Sequence, residues 1–436
     1  MVLAGPGLAR ASGAGPAFRR PGWILSAAAV ACVLSLAAYL AEMAWHPGPM
    51  LNWYDLNVYD HAGLIARSLP RQLYAWQLRP GIKFTYTPFA AVVFAACSQL
   101  PWAVLRWLMT LASLAALTGT VWFTLGALGW RGRARAAALL ALTAVALWIE
   151  PVQRALHLGQ IELVLMALIV GDLCQGDDRK WKGAGVGLAA GIKLVPLIFI
   201  PYLLLAGKRR QAAVATAVFA GTVAIGFAAL PHDSVKWWLT GYFLHAGDFS
   251  NTSQGALLNQ SLLALVTRTP AGAGSVTLLW LLLAALLGCL GLGAAALFAR
   301  SGRPTAGWVT CGVTGVLISP ISWDNHWVWI VPVFVLLADA GFRARGAARW
   351  GYWGLGAALA AVFADWPTYW TGRMAFVPHG LVGFHVGRHP MSEIFHLQGT
   401  QLISWNLFVL GGLVLFAGLL VAAALAWRGR RGAAVT

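Results

Sequence analysis

Arg179-Lys180-Trp181-Lys182, then Gly183-Ala184-Gly185-Val186-Gly187-Leu188-Ala189-Ala190-Gly191-Ile192-Lys193-Leu194-Val195-Pro196-Leu197-Ile198-Phe199-Ile200-Pro201-Tyr202-Leu203-Leu204-Leu205-Ala206-Gly207, then Lys208-Arg209-Arg210: this apolar run, closed at both ends by cations, decides how the chain is threaded. Clusters of Lys and Arg stay on the cytoplasmic side of a bilayer. A run with such a cluster at each end must go in and come back. Gly183, Gly185, Gly187 and Gly191 precede Lys193, and Pro196 and Pro201 follow it. That composition predicts a broken hairpin of two short helices turning near Lys193.

The rest of the chain agrees. Of its 436 residues, 59% are apolar and only 10% charged, against roughly a quarter charged in soluble domains. With 23 Trp and 49 Gly, this excludes a soluble enzyme, a nucleic-acid binder and a secreted disulfide scaffold. An all-α integral membrane protein is predicted. The 31 Lys and Arg against 14 Asp and Glu give a net charge of +17, spread over short clusters rather than one patch. Cys32, Cys97, Cys174, Cys289 and Cys311 show no CxxC or Cys/His metal spacing and read as small apolar residues.

Apolar runs predict spans at 23–44, 104–129, 135–149, 160–174, 183–207, 211–230, 274–299, 304–319, 325–341, 350–366 and 402–427. Their number is about twelve if the hairpin is scored as two. The first run lacks a cleavage signature and reads as a retained helix. Arg131/Arg133/Arg135, the two clusters of the hairpin, Arg300/Arg303, Arg343/Arg345/Arg349, Arg428/Arg430/Arg431 and both termini go to the cytoplasm. Parity then makes 84–101 a short helix at the outer interface. Segments 45–103, 231–273 and 367–401 fall outside, with outer turns at 150–159 and 320–325. No repeat or low-complexity linker divides what reads as one integral domain.

Asp177, Asp178 and Asp339 belong to cytoplasmic ends, and Asp172 to the inner end of its span. Glu42, Asp55, Asp60, Glu150, Glu162, Asp233, Asp248, Asp324, Asp365 and Glu393 fall outside or at outer helix ends, as do all ten His. Titratable groups are costly in lipid and mark a pathway or a site. Gathered on one face, they predict chemistry at the outer boundary rather than a proton path through the bilayer.

Several residues carry two readings. Asp55, in Trp53-Tyr54-Asp55-Leu56-Asn57-Val58-Tyr59, is either the N-cap of a helix over 56–68 or a general base with Tyr59 one turn away. Phe84-Thr85-Tyr86-Thr87-Pro88-Phe89 is an interfacial aromatic anchor or the floor of a sugar or lipid-phosphate pocket. Glu162 stabilises a helix N-terminus or, with Gln160, hydrogen-bonds a sugar. Lys193 ties down loop carbonyls or offers its charge to a phosphate. His326, between Trp323 and Trp327 and beside Asp324 and Asn325, is positioned to donate to an anionic leaving group. Asn259, Gln260 and Arg268 supply similar groups from the 231–273 loop. P-loop, HExxH and Gly-x-Ser-x-Gly signatures are missing from the sequence.

Taken in order, Asp55-Leu56-Asn57-Val58-Tyr59, Phe84-Thr85-Tyr86-Thr87-Pro88-Phe89, Glu150-Pro151-Val152, Gly159-Gln160, Gly191-Ile192-Lys193-Leu194, Asn259-Gln260-Ser261 and Ser319-Pro320-Ile321-Ser322-Trp323 resemble glycosyltransferase family 87, the polyprenol-phosphate-mannose-dependent mannosyltransferases of actinobacteria. The resemblance covers about 55 to 327. It implies a GT-C fold, with a seven-helix module over 1–230 that includes the first outer loop, 45–103. The loop 231–273 and variable C-terminal helices would follow, to 436. It implies an inverting transfer of mannose, without metal or other cofactor, from polyprenyl-phosphate-mannose to a lipid-linked acceptor. An alpha-1,2 linkage onto a phosphatidylinositol mannoside or lipoglycan follows from the same resemblance. On that pattern Asp55 is the base and His326 attends the donor phosphate.

On the residues themselves, Lys193 and Arg268 join His326 at the departing phosphate. Tyr59, Tyr86, Gln160, Glu162, Asn259, Gln260, Trp323 and Asp324 line the sugar and acceptor side. The chain departs from the family at Tyr86-Thr87-Pro88 (Tyr-Pro-Pro), Gln160-Ile161-Glu162 (Gln-Val-Asn), Asn325-His326-Trp327 (His-His-Trp) and Leu262-Leu263-Ala264-Leu265 (Trp-Arg-Gly-Gly), which bears on acceptor and sugar. An arabinofuranosyl or other polyprenyl-phosphate sugar is the nearest alternative. A lipid or solute transporter would require paired repeats and ionisable residues at every depth, and the sequence has neither.

Overall fold

Helices make up nearly every element of the computed structural model, which describes residues 23–45, 53–69, 71–79, 82–245, 258–269, 276–364 and 399–435. In chain order they are α1 (Trp23–Trp45), α2 (Tyr54–Ser68), a small antiparallel ribbon of β1 (Gln77–Arg79) and β2 (Ile82–Lys83), α3 (Pro88–Cys97), α4 (Trp102–Ala127), α5 (Gly132–Ala146), α6 (Glu150–Leu158) and α7 (Glu162–Leu173). There follow α8 (Ala184–Ile192), a 3-10 turn (Val195–Ile198) running into α9 (Phe199–Leu205), α10 (Arg209–Ala229) and α11 (Leu262–Arg268). The last group is α12 (Val276–Arg300), α13 (Pro304–Ile318), a 3-10 turn (Asp324–Trp329) entering α14 (Ile330–Arg343), α15 (Ala347–Phe363) and α16 (Leu407–Val435). All five cysteines are free.

Among the described residues, six helical stretches are long and apolar enough to cross a membrane: Trp23–Ala41, Trp102–Ala127, Arg209–Ala229, Val276–Arg300, Asp324–Arg343 and Leu407–Arg430. The sequence predicts more, and the difference lies in length. α7 has 12 residues and α13 has 15, which at about 1.5 Å per residue falls short of a ~30 Å hydrocarbon layer. α13 is buried along nearly its whole length, so protein rather than lipid surrounds it.

The hairpin returns as its flanks require. Lys182 and Lys208, from opposite ends of the run, both pair with the Asp177 carboxylate, and Gln211 donates to it at 2.9 Å. Lys208, with Lys182 and Gln211, holds that carboxyl well below the usual range. The turn falls at Lys193, which adopts an extended conformation between α8 and the 3-10 turn. α8 starts because Asp172, from α7, accepts from the Gly183 amide at 2.9 Å and the Val186 amide at 3.2 Å, capping a helix N-terminus with a carboxylate. Gly187 and Gly191 then let α8 lie directly on α10, where a Cβ would strike the Ala215 carbonyl and the Thr222 side chain. Small residues serve this close approach in membrane bundles.

Cation clusters distant in sequence meet in pairs. Arg343 joins Asp339 at 2.7 Å and the Leu128 carbonyl at 2.7 Å, beside the 131–135 cluster. Arg300 donates to the Leu205 carbonyl at 2.8 Å, beside the 208–210 cluster.

Two expectations are corrected. Residues 150–159 are not a turn: Glu150–Leu158 is a buried helix, bent by 116° against α7. Gly159 takes the left-handed conformation (φ 65) that ends it, as helix C-termini commonly require. Asp55 is not an N-cap, because α2 begins at Tyr54 after Trp53 (φ 43). The readings on His46, Asp248, Asp365, His379, His385, His389, Glu393, His396 and most of 367–401 lie outside the described residues.

Candidate active site

At the turn of the hairpin, away from the cations at its two ends, five separate segments bring polar side chains together. Asp55 and Tyr59 sit one turn apart on α2. Tyr86 comes from the loop before α3, which is fixed by Thr87: its hydroxyl caps α3 at the Ala90 amide (3.2 Å) and donates to the Gly191 carbonyl of the hairpin. Gln160 occupies the corner between α6 and α7, and Glu162 opens α7. Lys193 is the hairpin turn, and His326 lies in the 3-10 turn before α14.

Gln160 organises the first half of the site. Its Oε1 accepts from Tyr59 Oη at 2.6 Å and Tyr86 Oη at 3.1 Å, and the two phenols are 2.7 Å apart. Its Nε2 donates to Asp55 Oδ2 at 2.7 Å. A flipped amide would set an oxygen against the carboxylate, so the arrangement fixes the orientation. Tyr59 stacks on Phe94 of α3 at 4.5 Å, and burial raises the pKa of both phenols, keeping them hydrogen donors. Asp55 is half-buried. Burial raises its carboxyl from 3.8 to about 6, opposed by the Gln160 bond and by the charges of Lys193 and Arg154.

Lys193, Glu162 and His326 form the second half. Lys193 pairs with Glu162, and His326 Nε2 lies 3.0 Å from Glu162 Oε1 and 3.0 Å from Lys193 Nζ. The ammonium also stands 5.3 Å from the centre of the Tyr86 ring, joining the two halves. These three residues line a cleft whose other walls are apolar save for Ser322, and include Leu165, Met166, Phe199, Val316 and Trp329.

The structure thus brings Asp55, Tyr59, Tyr86, Gln160, Glu162, Lys193 and His326 together. Glu162 stands with the cations rather than on the sugar side expected from sequence. Asp324 is not open to a sugar: its Oδ2 pairs with Arg154 at 3.0 Å and its Oδ1 caps the Asn325 amide at 2.8 Å. Trp323, half-buried, is paired through its backbone with Asn259.

Three further candidate residues turn inward. Asn259, Gln260 and Arg268 are buried and bond within the protein, mostly to backbone. Asn259 Oδ1 accepts from the Ser322 amide at 3.0 Å, and Gln260 bridges the Trp405 carbonyl (2.8 Å) and the Phe408 amide (3.2 Å). Arg268 donates to Trp405 O at 3.0 Å, Asn406 Oδ1 at 2.7 Å and Asn259 O at 2.7 Å. Together they clamp the turn that carries His326.

Arg154 was missed in the sequence. The available signal was a single cation in an otherwise uncharged stretch between Glu150 and His157. Its helix, α6, also accepts from the Trp53 amide through the His157 carbonyl (3.0 Å), so one element holds both the start of α2 and the His326 turn.

The profile of glycosyltransferase family 87 matches residues 84–320. Two polyprenol-phosphate-mannose-dependent alpha-(1-2)-phosphatidylinositol pentamannoside mannosyltransferases are each 32% identical to the chain. That of Mycobacterium tuberculosis aligns over 75% of this chain and 76% of its own length, and that of Mycolicibacterium smegmatis over 78% and 84%. A polyprenol-phosphate-mannose-dependent alpha-(1-2)-phosphatidylinositol mannoside mannosyltransferase of Mycobacterium tuberculosis is 32% identical over 61% of this chain and 64% of its own. No solved structure matches. The family profile covers more than half of the chain and the relatives about three quarters of it, so this protein belongs to glycosyltransferase family 87.

Proposed function

We propose that the protein is an inverting membrane glycosyltransferase that moves mannose from polyprenyl-phosphate-mannose to a lipid-linked acceptor of the phosphatidylinositol mannoside type, in alpha-1,2 linkage. The names of the relatives support donor, acceptor class and linkage. We place the reaction at the outer face, with both termini cytoplasmic, because the site lies at the hairpin turn, away from the cations at its two ends. The architecture is read as a GT-C fold with about twelve crossings, a module over 1–230 and a second set of helices over 231–436.

One observation carries the mechanism: Asp55 and the Lys193–His326 pair belong to a single connected cluster beside an apolar cleft. The polyprenyl chain lies in the cleft and its phosphate against Lys193 and His326. Asp55, steered by Gln160, removes the acceptor proton as the anomeric carbon is attacked from the face opposite the phosphate. A carboxylate titrating near 6 is a stronger base than an ordinary Asp while remaining ionised at neutral pH. The charge of Lys193 and a hydrogen bond from His326 stabilise the departing phosphate, so the step requires no metal.

The test is purified protein given labelled polyprenyl-phosphate-mannose, or the arabinofuranosyl donor, with a panel of phosphatidylinositol mannosides. Mannose transfer that is lost in Asp55→Asn is expected. Normal turnover by Asp55→Asn would remove the assignment of the base, and transfer of arabinose instead would change the sugar.

A further inference from the structure

We propose that Glu162 is an internal stand-in for the donor phosphate, so that the donor must take its place and binding is accompanied by uptake of a proton. This rests on the donor reading above and deepens it.

Glu162 Oε1 pairs with Lys193 Nζ and lies 3.0 Å from His326 Nε2. Those are the two groups a lipid phosphate would use, and a phosphate oxygen taking both would occupy the position of Oε1. The second oxygen, Oε2, is buried without a hydrogen-bond partner, on a carboxylate that lines the same cleft. Glu162 also opens α7, and a helix N-terminus favours an anion. Glu162 therefore occupies a site built for one negative charge.

The surrounding charges leave no room for a second. Lys193 and His326 face Glu162 directly. Around them stand Asp55, the Arg154–Asp324 pair, and the phenols of Tyr59 and Tyr86. Arg154 is matched by Asp324, so this shell brings no surplus positive charge to offset Asp55. One ammonium then faces both the Glu162 carboxylate and an incoming phosphodiester. In a poorly solvated site this repulsion is relieved by a proton on Glu162 or His326. Glu162 accordingly acts as a specificity-determining residue that weakens donor binding as pH rises.

The experiment measures binding of a prenyl methyl phosphodiester, singly charged throughout, by full-length protein between about pH 5.5 and 8.5. The wild type should lose affinity with rising pH, approaching tenfold per unit. Calorimetry in buffers of different ionisation enthalpy should read proton uptake. Glu162→Gln should bind more tightly at high pH, with a shallower slope and less proton uptake than the wild type. Glu162→Asp, which keeps the charge, should keep the slope, and a merely structural role would not sort the variants this way. Equal slopes in all three proteins, weaker binding by Glu162→Gln at high pH, or no binding by the wild type overturns the proposal. Mannose transfer by the same preparations reports separately on the donor: transfer with equal slopes sinks the Glu162 role alone, and sorted slopes without transfer sink the sugar alone.

Discussion

Gln160 donates to Asp55 at 2.7 Å from the corner of two helices that meet at 116°. The bend, permitted by Gly159, turns the amide toward α2. A Cβ at Gly159 would lie 2.7 Å from Leu56 Cβ, so the close approach of α2 depends on that glycine. The carboxylate of Asp55 is steered by a residue 105 positions away.

Gln160→Met removes this steering while keeping most of the volume. Transfer by the purified protein should fall by about 10- to 100-fold in kcat, the scale of a misplaced catalytic group. An unchanged kcat would show that Asp55 needs no second residue to orient it.

The pH profile of kcat/KM should have an acid limb near pH 6, because the base form of Asp55 is lost below its raised pKa of about 6. The Gln160 bond lowers that pKa, so in Gln160→Met the limb should move to higher pH. A limb near pH 4 in the wild type would contradict a buried base.

Asp55 also costs stability. Its folded pKa of about 6 lies above the model-compound 3.8, so ionised Asp55 is disfavoured in the folded state. The penalty is absent below pH 4, grows between 4 and 6, and is complete above 6. Asp55→Asn should therefore be inactive yet more stable at pH 7.5, by an amount on the order of 2 kcal/mol, and should lose that advantage at pH 4. Thermal unfolding at the two pH values checks it.

Arg154→Met strands Asp324 in the interior. Breaking a buried pair from one side costs roughly 3–5 kcal/mol, whereas replacing both partners with apolar residues costs far less. Arg154→Met should unfold at markedly lower temperature, and Arg154→Met with Asp324→Leu should recover much of the loss.

Arg268→Gln separates clamp from phosphate ligand. Arg268 donates to protein groups at Trp405, Asn406 and Asn259, so the variant should lose thermal stability by about 2 kcal/mol, the scale of lost charged hydrogen bonds. The donor KM of the folded protein should stay in place. A large rise in donor KM at unchanged stability would restore Arg268 to the phosphate.

The sequence by itself determined the membrane class, the positions of nearly all helices and the returning hairpin, because apolar runs, glycines and cation clusters act through solvation and local backbone geometry. Only the tertiary structure decided which polar side chains meet. Asp55, Gln160 and Lys193 converge, whereas Asn259, Gln260 and Arg268 turn inward to clamp a loop, although all six are polar. Arg154 and Asp324, 170 positions apart, find each other only through the packing of α6 against the His326 turn. Buried polar groups must be satisfied wherever the fold leaves them, and that depends on contacts no local pattern encodes.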